Sequence, residues 1–331
     1  MTGGRLRWGL VGTGRINRRI LPALAASPRH EIVAVASRDA ARAEAYARDW
    51  KIPRAHAPYE ALLDAPDIDA VYISLPNSLH AHWTLAALAA GKHVLCEKPI
   101  ALDPDDVDRI ATVAAAAGRH VAEGYMYRHE PQTGAVQALV AQGAIGELRG
   151  IAGAFTYPRT RAHDVRLDPA LGGGSLWDVG CYPAGFAQFV AGAPPVEVMG
   201  WALTGPTGVD EMFSGLLRYG SGLIAHLDCG FRAVSRTWME VTGSDGVLVV
   251  PSPFKPGPRE ELGLRRHDGH QVIVVEGSRE LFVRQVDDFA AVVFDGAAPV
   301  VPLADSRAIV ATLAALHASA RANRPVLVPP A

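Results

Sequence analysis

The tetrapeptide Cys96-Glu97-Lys98-Pro99 sets a lysine and a glutamate at the end of Gly91-Lys92-His93-Val94-Leu95, a run that reads as a short buried strand behind a helix-ending glycine. Pro99 excludes the α region for Lys98, so the strand cannot run straight into a helix and the charged pair is displayed at a turn. At the carboxyl end of a parallel strand, an ammonium can polarise a reacting oxygen. A solvated loop lysine that happens to precede a proline has the same local sequence.

A second group lies in Gly172-Gly173-Gly174-Ser175-Leu176-Trp177-Asp178-Val179-Gly180-Cys181-Tyr182-Pro183. If the helix that runs on to Val190 already includes Ser175 to Tyr182, Asp178 and Tyr182 stand one turn apart on the same face, with Trp177, Val179 and Cys181 toward packing. A phenol near Lys98 can have its pKa lowered by the ammonium and be readied for proton transfer; a buried tyrosine is otherwise a core residue that has found a partner. Asp178 can orient a sugar hydroxyl or the phenol. The triple glycine indicates a backbone that passes close to something, or a flexible loop.

A strand over Leu6 to Val11 leads into Gly12-Thr13-Gly14-Arg15-Ile16-Asn17 and then the apolar-periodic segment Ile20 to Ala26. Gly12 permits a tight turn, and Gly14 lets backbone N–H groups approach a pyrophosphate at the positive end of the helix. Asn17 occupies the third glycine position, so helix-to-strand packing must differ there. The second strand, Glu31 to Ala36, ends at Ser37-Arg38-Asp39, where an acidic residue would bind the ribose diol of NAD. A hydroxyl and a guanidinium suit a 2′-phosphate instead, which favours NADP over NAD. Asp39 and Arg38 can equally be a helix cap and a solvated first-turn side chain.

Strands near Arg54 to Ala57 and over Ala70 to Ser74 alternate with helices over Tyr59 to Leu63, His82 to Ala90 and Pro104 to Ala117. The alternation predicts a parallel sheet with right-handed crossovers. Leu75-Pro76-Asn77-Ser78-Leu79-His80 follows a strand's carboxyl end, so Asn77 and His80 face the edge of Gly12 and Lys98. Asn77 can instead cap a helix, and His80 can fill its first turn. After the strand His120 to Gly124 the alternation stops, and Tyr125-Met126-Tyr127-Arg128-His129-Glu130 marks the junction. Its aromatic and basic residues line a cleft or pack between domains. A helix over Gln132 to Gln142 precedes β-rich runs, Leu148 to Tyr157, Val196 to Leu203, Glu211 to Tyr219, Gly222 to Phe231 and Thr237 to Val241, which read as an antiparallel meander. Helices over Arg279 to Phe294 and Ser306 to Ala322 finish the chain, and the last is expected to pack back on the first domain. The fold class is α/β, an N-terminal doubly wound parallel sheet of the Rossmann type (1–125) plus a C-terminal α+β domain with a large open, mostly antiparallel sheet (126–331).

The totals agree with a two-domain enzyme. The 331 residues exceed the size at which single cores stop growing, and 49% hydrophobic with 20% charged residues is an ordinary globular composition. A net charge of −2 leaves no electrostatic footprint for nucleic acid or an anionic membrane. Apolar runs such as Ala111 to Ala117 are far shorter than a membrane span, and Met1-Thr-Gly-Gly-Arg leads into a strand with no signal-peptide apolar region. The expected location is the cytoplasm. Cys96, Cys181 and Cys229 show no paired spacing for disulfides or structural zinc.

Taken together, Gly12 to Ile16, Pro76-Asn77 with His80, Glu97-Lys98-Pro99 and Gly172 to Tyr182 resemble the glucose-fructose oxidoreductase, inositol dehydrogenase and rhizopine-catabolism (Gfo/Idh/MocA) family of NAD(P)-dependent oxidoreductases. The resemblance covers nearly the whole chain. It implies that Lys98 lies beside the nicotinamide and contacts the reacting hydroxyl, and that Asp178 and Tyr182 match the family's Asp-x-x-x-His pair. Tyrosine in place of histidine, like Ser37-Arg38 and Tyr127-Arg128, looks like the branch of dimeric dihydrodiol dehydrogenase and NADP-dependent D-xylose dehydrogenase. The expected catalytic residues are Lys98, Tyr182 and Asp178. Gly12, Thr13, Gly14, Arg15, Ile16, Ser37, Arg38, Leu75, Pro76, Asn77, His80, Glu97 and Lys98 would bind the cofactor, and no metal is needed. Tyr127, Arg128, Tyr157, Arg159, Asp164, Asp178 and Tyr182 would meet a carbohydrate or cyclic-polyol substrate. The resemblance also implies a homodimer or homotetramer formed through the C-terminal sheet. Reduction of a keto-sugar or anhydro-sugar uses the same groups in reverse. A catalytically silent NAD(P)-binding regulator has no need of a proton-transfer pair.

Overall fold

In a computed structural model the chain divides into two compact units, Met1–Ala101 with Asp105–Met126 and Glu280–Leu303, and Leu102–Pro104 with Tyr127–Arg279 and Ala304–Ala331. Residues 4–159 and 164–330 are described; the start of the Met1-Thr-Gly-Gly-Arg segment lies outside them.

The first unit alternates β1 (Leu6–Val11), α1 (Asn17–Ala26), β2 (His30–Ala36), α2 (Ala40–Trp50), β3 (Arg54–His56), α3 (Tyr59–Leu63), β4 (Ala70–Ile73), α4 (His80–Ala89), β5 (His93–Cys96), α5 (Pro104–Ala117) and β6 (Val121–Glu123). Its six strands are all parallel in the order β3-β2-β1-β4-β5-β6. Burial on both faces requires apolar strands, and β4, Ala-Val-Tyr-Ile, is buried at every position. The order reverses between β1 and β4, the switch point at which such sheets bind ligands. Register aligns the strand ends there. Val11 pairs with Ile73 and Ile73 with Cys96, so Gly12, Ser74 and Glu97 leave the sheet side by side. Ser74 donates its N–H to Val11 at 3.1 Å and Glu97 donates to Ile73 at 3.0 Å, extending the ladder one step past each strand.

The second unit contains α6 (Pro131–Ala141), β7 (Leu148–Thr156), α7 (Cys181–Ala191), β8 (Glu197–Thr204), β9 (Asp210–Arg218), β10 (Ile224–Gly230), β11 (Arg236–Gly243), β12 (Gly246–Val250), β13 (Arg259–Arg266) and β14 (Gly269–Glu276). After α8 (Val283–Asp295), the chain ends in α9 (Leu303–Ala322) and β15 (Val326–Leu327). The nine strands run β14-β13-β12-β11-β7-β10-β9-β8-β15. The expected meander is corrected at one place: β7 and β10 are parallel, because the segment carrying α7 and the β8–β9 hairpin intervene before the chain returns beside β7. Glycines let α9 approach this sheet. A Cβ on Gly200 or Gly215 would stand 3.1 Å from the Leu316 carbonyl oxygen or 2.9 Å from its Cδ2, and the Gly200 N–H donates to Ser319 Oγ at 3.1 Å.

Helix α8 belongs to the first unit. Phe289 of α8 packs its ring 5.3 Å from Trp8, and Asp287 accepts from Ser27 Oγ at 2.6 Å. Buried His30 completes the seam, its Nδ1 accepting from Trp8 Nε1 at 3.1 Å while its Nε2 lies 3.2 Å from Asp287. Helix α9 from Ala304 onward belongs to the second unit, where Leu313 and Leu316 are fully buried.

Candidate active site

In the first unit, the site is an edge of backbone and short side chains. Gly12 has φ +102°, and a Cβ there would stand 2.8 Å from Leu75 Cδ2; a Cβ on Gly14 would stand 2.6 Å from the Ser74 carbonyl oxygen. The glycines are therefore needed for close approach of the β1–α1 turn to the end of β4. Asn17, in the third glycine position, is fully buried, and its Nδ2 donates to the Gly12 carbonyl at 3.0 Å. The side chain that breaks the glycine fingerprint thus braces its first glycine. The open turn of Thr13, Gly14, Arg15 and Ile16 leads into α1, whose first turn has no acidic residue to repel a phosphate.

The Gly12 N–H donates to Ala36 at 3.0 Å, bringing Ser37 and Arg38 beside the glycine turn. Ser37 is buried and Arg38 exposed. Asp39 caps α2, accepting from the Arg42 N–H at 2.8 Å.

Beyond β4, Leu75 and Pro76 lead to Asn77, the first residue of a short 3-10 turn. His80 follows that turn as the first residue of α4. It is 1% exposed and both ring nitrogens face carbonyl oxygens, Pro99 at 2.7 Å and Leu75 at 2.8 Å. Burial lowers its pKa. His80 lies behind the edge, where it ties the loop after β4 to the turn holding Lys98. Strand β5 ends at Cys96, two residues earlier than the run that reads through to Lys98. Glu97 accepts from Tyr72 Oη at 2.6 Å, and Glu123 at the end of β6 accepts from the Ile100 N–H at 2.9 Å. The turn that displays Lys98 is therefore fixed on both sides.

In the second unit, Leu176–Gly180 forms a wide π-helical turn that continues directly into α7. Such turns concentrate at functional sites because they re-aim side chains within a continuous helix. Asp178 and Tyr182 lie about one turn apart on it, 7% and 6% exposed. Aromatic rings enclose Tyr182, with Phe155, Phe254 and Tyr127 at centroid distances of 5.3, 5.4 and 5.9 Å. A polar cluster surrounds Asp178. Its Oδ2 accepts from Tyr157 Oη at 2.7 Å and pairs with Arg166 Nε at 2.9 Å. Arg159 donates to Tyr157 Oη at 3.0 Å and pairs with Asp164, which Arg166 also meets at 3.3 Å.

Burial, reinforced by Asp178, raises the Tyr157 pKa, so this phenol stays protonated and donates. The Asp178 charge raises the pKa of Arg166, while burial lowers that of Arg159. The expected residues Tyr157, Arg159, Asp164, Asp178 and Tyr182 are thus brought into one neighbourhood, and Tyr127 joins it through its ring. The Arg128 guanidinium lies 3.9 Å from the Phe189 ring centroid of α7 and 3.5 Å from Asp305 of α9. Sequence reasoning missed Arg166, Phe155 and Phe254. Arg166 follows Asp164 by the i, i+2 spacing of an Asx-type turn, and its N–H donates to Asp164 at 3.0 Å, the one local signal that could have found it.

The triple glycine is a close backbone approach. Gly172 and Gly174 have φ of +73° and +119°, and a Cβ on Gly173 would stand 2.6 Å from the Arg166 carbonyl oxygen. Among the described residues no group of three or more His, Cys, Asp or Glu converges as a metal site, and no helix is long and apolar enough to cross a membrane.

Residues 6–125 match the profile of an oxidoreductase family with an NAD-binding Rossmann fold, and residues 133–249 match the Gfo/Idh/MocA C-terminal domain. A D-xylose 1-dehydrogenase (NADP(+)) of Haloferax volcanii is 36% identical over 324 residues, 97% of this chain and 99% of its own. A dTDP-3,4-didehydro-2,6-dideoxy-alpha-D-glucose 3-reductase of Streptomyces violaceoruber is 41% identical over 270 residues, 80% and 78% of the two chains. A 3-ketoreductase from Actinomadura kijaniata, solved in complex with NADP and TDP-benzene, superposes with a TM-score of 0.90 at 33% identity, covering 96% of this chain and 98% of that one.

Proposed function

The chain belongs to the Gfo/Idh/MocA family of NAD(P)-dependent oxidoreductases, and on that premise we propose that it oxidises a CH–OH group of an aldose or cyclic polyol with NADP. The carrying observation is the placement of Asp178 and Tyr182 on one turn of helix, inside a cluster whose guanidinium and carboxylate charges balance. A balanced, hydrogen-bonding cluster suits a neutral polyhydroxyl compound. Bound NADP supplies the hydride acceptor. Gly12, Thr13, Gly14, Arg15 and Ile16 receive the dinucleotide phosphates, and Ser37 and Arg38 take the 2′-phosphate, which makes NADP the preferred cofactor. Leu75, Pro76, Asn77 and Glu97 shape the nicotinamide end.

Tyr182 removes the hydroxyl proton, and Lys98 polarises the same oxygen. Asp178 orients the sugar hydroxyls, with Tyr157 and Arg166 holding its carboxylate, while Tyr127, Arg159 and Asp164 line the pocket. Running in reverse, the same groups reduce a keto-sugar, a reading favoured by the 41% identity to a 3-reductase. Domains divide functionally into dinucleotide binding by 1–125 and substrate binding by 126–331.

The C-terminal sheet also supports a homo-oligomer. Trp201, Leu203, Leu216 and Ile224 expose 51%, 52%, 40% and 52% of their surfaces on β8, β9 and β10, an apolar patch suited to a second copy. Light scattering of Trp201→Glu against the parent chain tests it, since an unchanged mass would rule this face out. Cys96, Cys181 and Cys229, buried and in no disulfide among the described residues, fit a reducing cytoplasm.

The direct test titrates NADPH and NADH by fluorescence, then screens aldoses, inositols, trans-dihydrodiols and keto-sugars with the parent chain, Lys98→Ala and Tyr182→Phe. Tighter NADPH binding is expected, with turnover reduced by about 10²-fold or more in both variants and cofactor affinity retained. Turnover that ignores Tyr182 would assign the proton to another group, and cofactor binding with no turnover would favour a regulator.

A further inference from the structure

Asp210 opens β9 and is 6% exposed. Its Oδ2 accepts from Ser175 Oγ at 2.7 Å and from the Leu176 N–H at 2.8 Å. Its Oδ1 stands where a Cβ on Gly174 would be, and His317 Nε2 of α9 lies 3.8 Å away. Cys229 of β10 closes the pocket, its Sγ 3.8 Å from Ser175 Oγ. One carboxylate therefore holds three consecutive residues at the point where the glycine-rich loop becomes helix.

The first N–H groups of a helix have no partner inside it, and the Leu176 N–H is one of them, buried where water cannot reach. An anionic acceptor at this positive end satisfies it. The next polar residue along the helix is Asp178, whose N–H donates to the Gly174 carbonyl at 3.1 Å, and Tyr182 follows one turn later. Tyr157 and Arg166 fix the Asp178 side chain from one side, and Asp210 fixes the backbone beneath it from the other. Burial pushes the Asp210 carboxyl up to about 6, against the hydrogen bonds from the Ser175 hydroxyl and from the backbone of Leu176, Asp210 and Ser175 that lower it, so its charge is maintained at a cost to the fold. The gain for that cost is a rigid helix start.

We propose that Asp210 is a positioning residue for the reaction, anchoring the Gly174–Leu176 junction so that Asp178 and Tyr182 are held in register with the reacting hydroxyl. The proposal rests on the reading of Asp178 and Tyr182 given above. It is a role for a side chain that touches neither substrate nor cofactor, so misplacement should slow turnover without weakening binding; displacements of about 1 Å at a reacting group cost up to about 10²-fold.

The test uses the full chain with Asp210→Ala, Asp210→Asn and Ser175→Ala. Hydrogen exchange of the peptide spanning 172–182 is followed in the substrate-free protein, and kcat, KM and the NADPH dissociation constant are measured separately. Asp210→Ala should accelerate exchange of the Leu176 to Tyr182 amides by about tenfold or more and lower kcat by about tenfold to 10²-fold, with KM and NADPH affinity kept. Asp210→Asn, which retains an acceptor oxygen, should restore both, and Ser175→Ala should lose part of each. Normal kcat in Asp210→Ala, or unchanged exchange, overturns the proposal. If Asp210→Ala does not fold, Ser175→Ala decides by the same criteria. If the parent chain turns over no sugar or polyol, the catalytic reading fails by itself, and exchange alone decides whether Asp210 anchors the helix start.

Discussion

Replacing Asp210 by Asn should change how stability depends on pH. The carboxyl rises from an ordinary 3.8 to about 6, with burial the largest cause. A carboxyl with a raised folded-state pKa binds its proton more tightly in the folded chain. Its contribution therefore favours folding fully below about pH 4 and is lost as the pH climbs through about 6. At 1.36 kcal/mol per pKa unit the rise corresponds to about 3 kcal/mol, and the 6% exposure leaves little solvent screening to discount it.

The surrounding groups set the background. Burial lowers His317 from an ordinary 6.5 to about 4, so its window overlaps that of Asp210, while burial holds the Cys229 thiol protonated throughout. The His317 contribution runs the opposite way and largely cancels when parent and variant are compared at each pH. Asp210→Asn keeps the size and one acceptor oxygen but cannot ionise. The difference in unfolding free energy between variant and parent should move toward the variant by about 3 kcal/mol from pH 4 to pH 7. In a thermal scan that amounts to a relative gain on the order of 5 °C. Chemical denaturation at half-unit pH steps, read by the fluorescence of the chain's six tryptophans, measures it. A difference that stays flat from pH 4 to 7, with the parent more stable throughout, would refute the argument.

Three further outcomes follow from the geometry. Asn17→Ala removes the buried donor to the Gly12 carbonyl and should cost about 1 to 3 kcal/mol, with NADPH binding weakened about tenfold or more; a fluorescence titration that matches the parent would refute the bracing role. Arg166→Ala leaves Asp178 and Asp164 short of a cation and should cost about 2 to 4 kcal/mol; the guanidinium's 36% exposure places it at the lower end, and thermal melts check it. Gly174→Ala meets both a φ of +119° and the Asp210 carboxylate, so a loss of about 2 to 4 kcal/mol is expected. Combining it with Asp210→Ala should recover part of that loss, and strict additivity would show that the clash is not with Asp210.

The parallel sheet was legible because its strands are short, apolar on both faces and separated by helices of obvious period. The second sheet was legible only where a strand hides one face behind continuous apolar residues. Strand β13, Arg-Glu-Glu-Leu-Gly-Leu-Arg-Arg, carries five charges and buries only Leu262 and Leu264, so its composition reads as a solvated loop. The candidate site divides similarly. Lys98, Asp178 and Tyr182 announce themselves by motif, whereas Asp210 sits in Gly-Val-Asp-Glu-Met, where it reads as an acidic turn. Its meaning depends on Ser175 and Leu176, 34 to 35 positions away, and no local pattern encodes that pairing. For His80, sequence gives its place after β4, and only the fold shows that its ring nitrogens meet two carbonyls.

That division bears on what the site selects. Among the described residues of the cluster, Arg159 pairs with Asp164, and Arg166 with both Asp164 and Asp178. A substrate phosphate arriving there would have to displace a carboxylate from a buried ion pair, and breaking such pairs is costly. A hydroxyl faces no such exchange, because it can accept from a guanidinium and donate to a carboxylate at the same time. The cluster therefore discriminates by hydroxyl placement, leaving any anionic portion of a larger substrate to be met elsewhere on the chain. On the proposed reading, free aldoses and polyols should be turned over without a nucleotide handle, with the hydroxyl presented to Tyr182 set by the cluster.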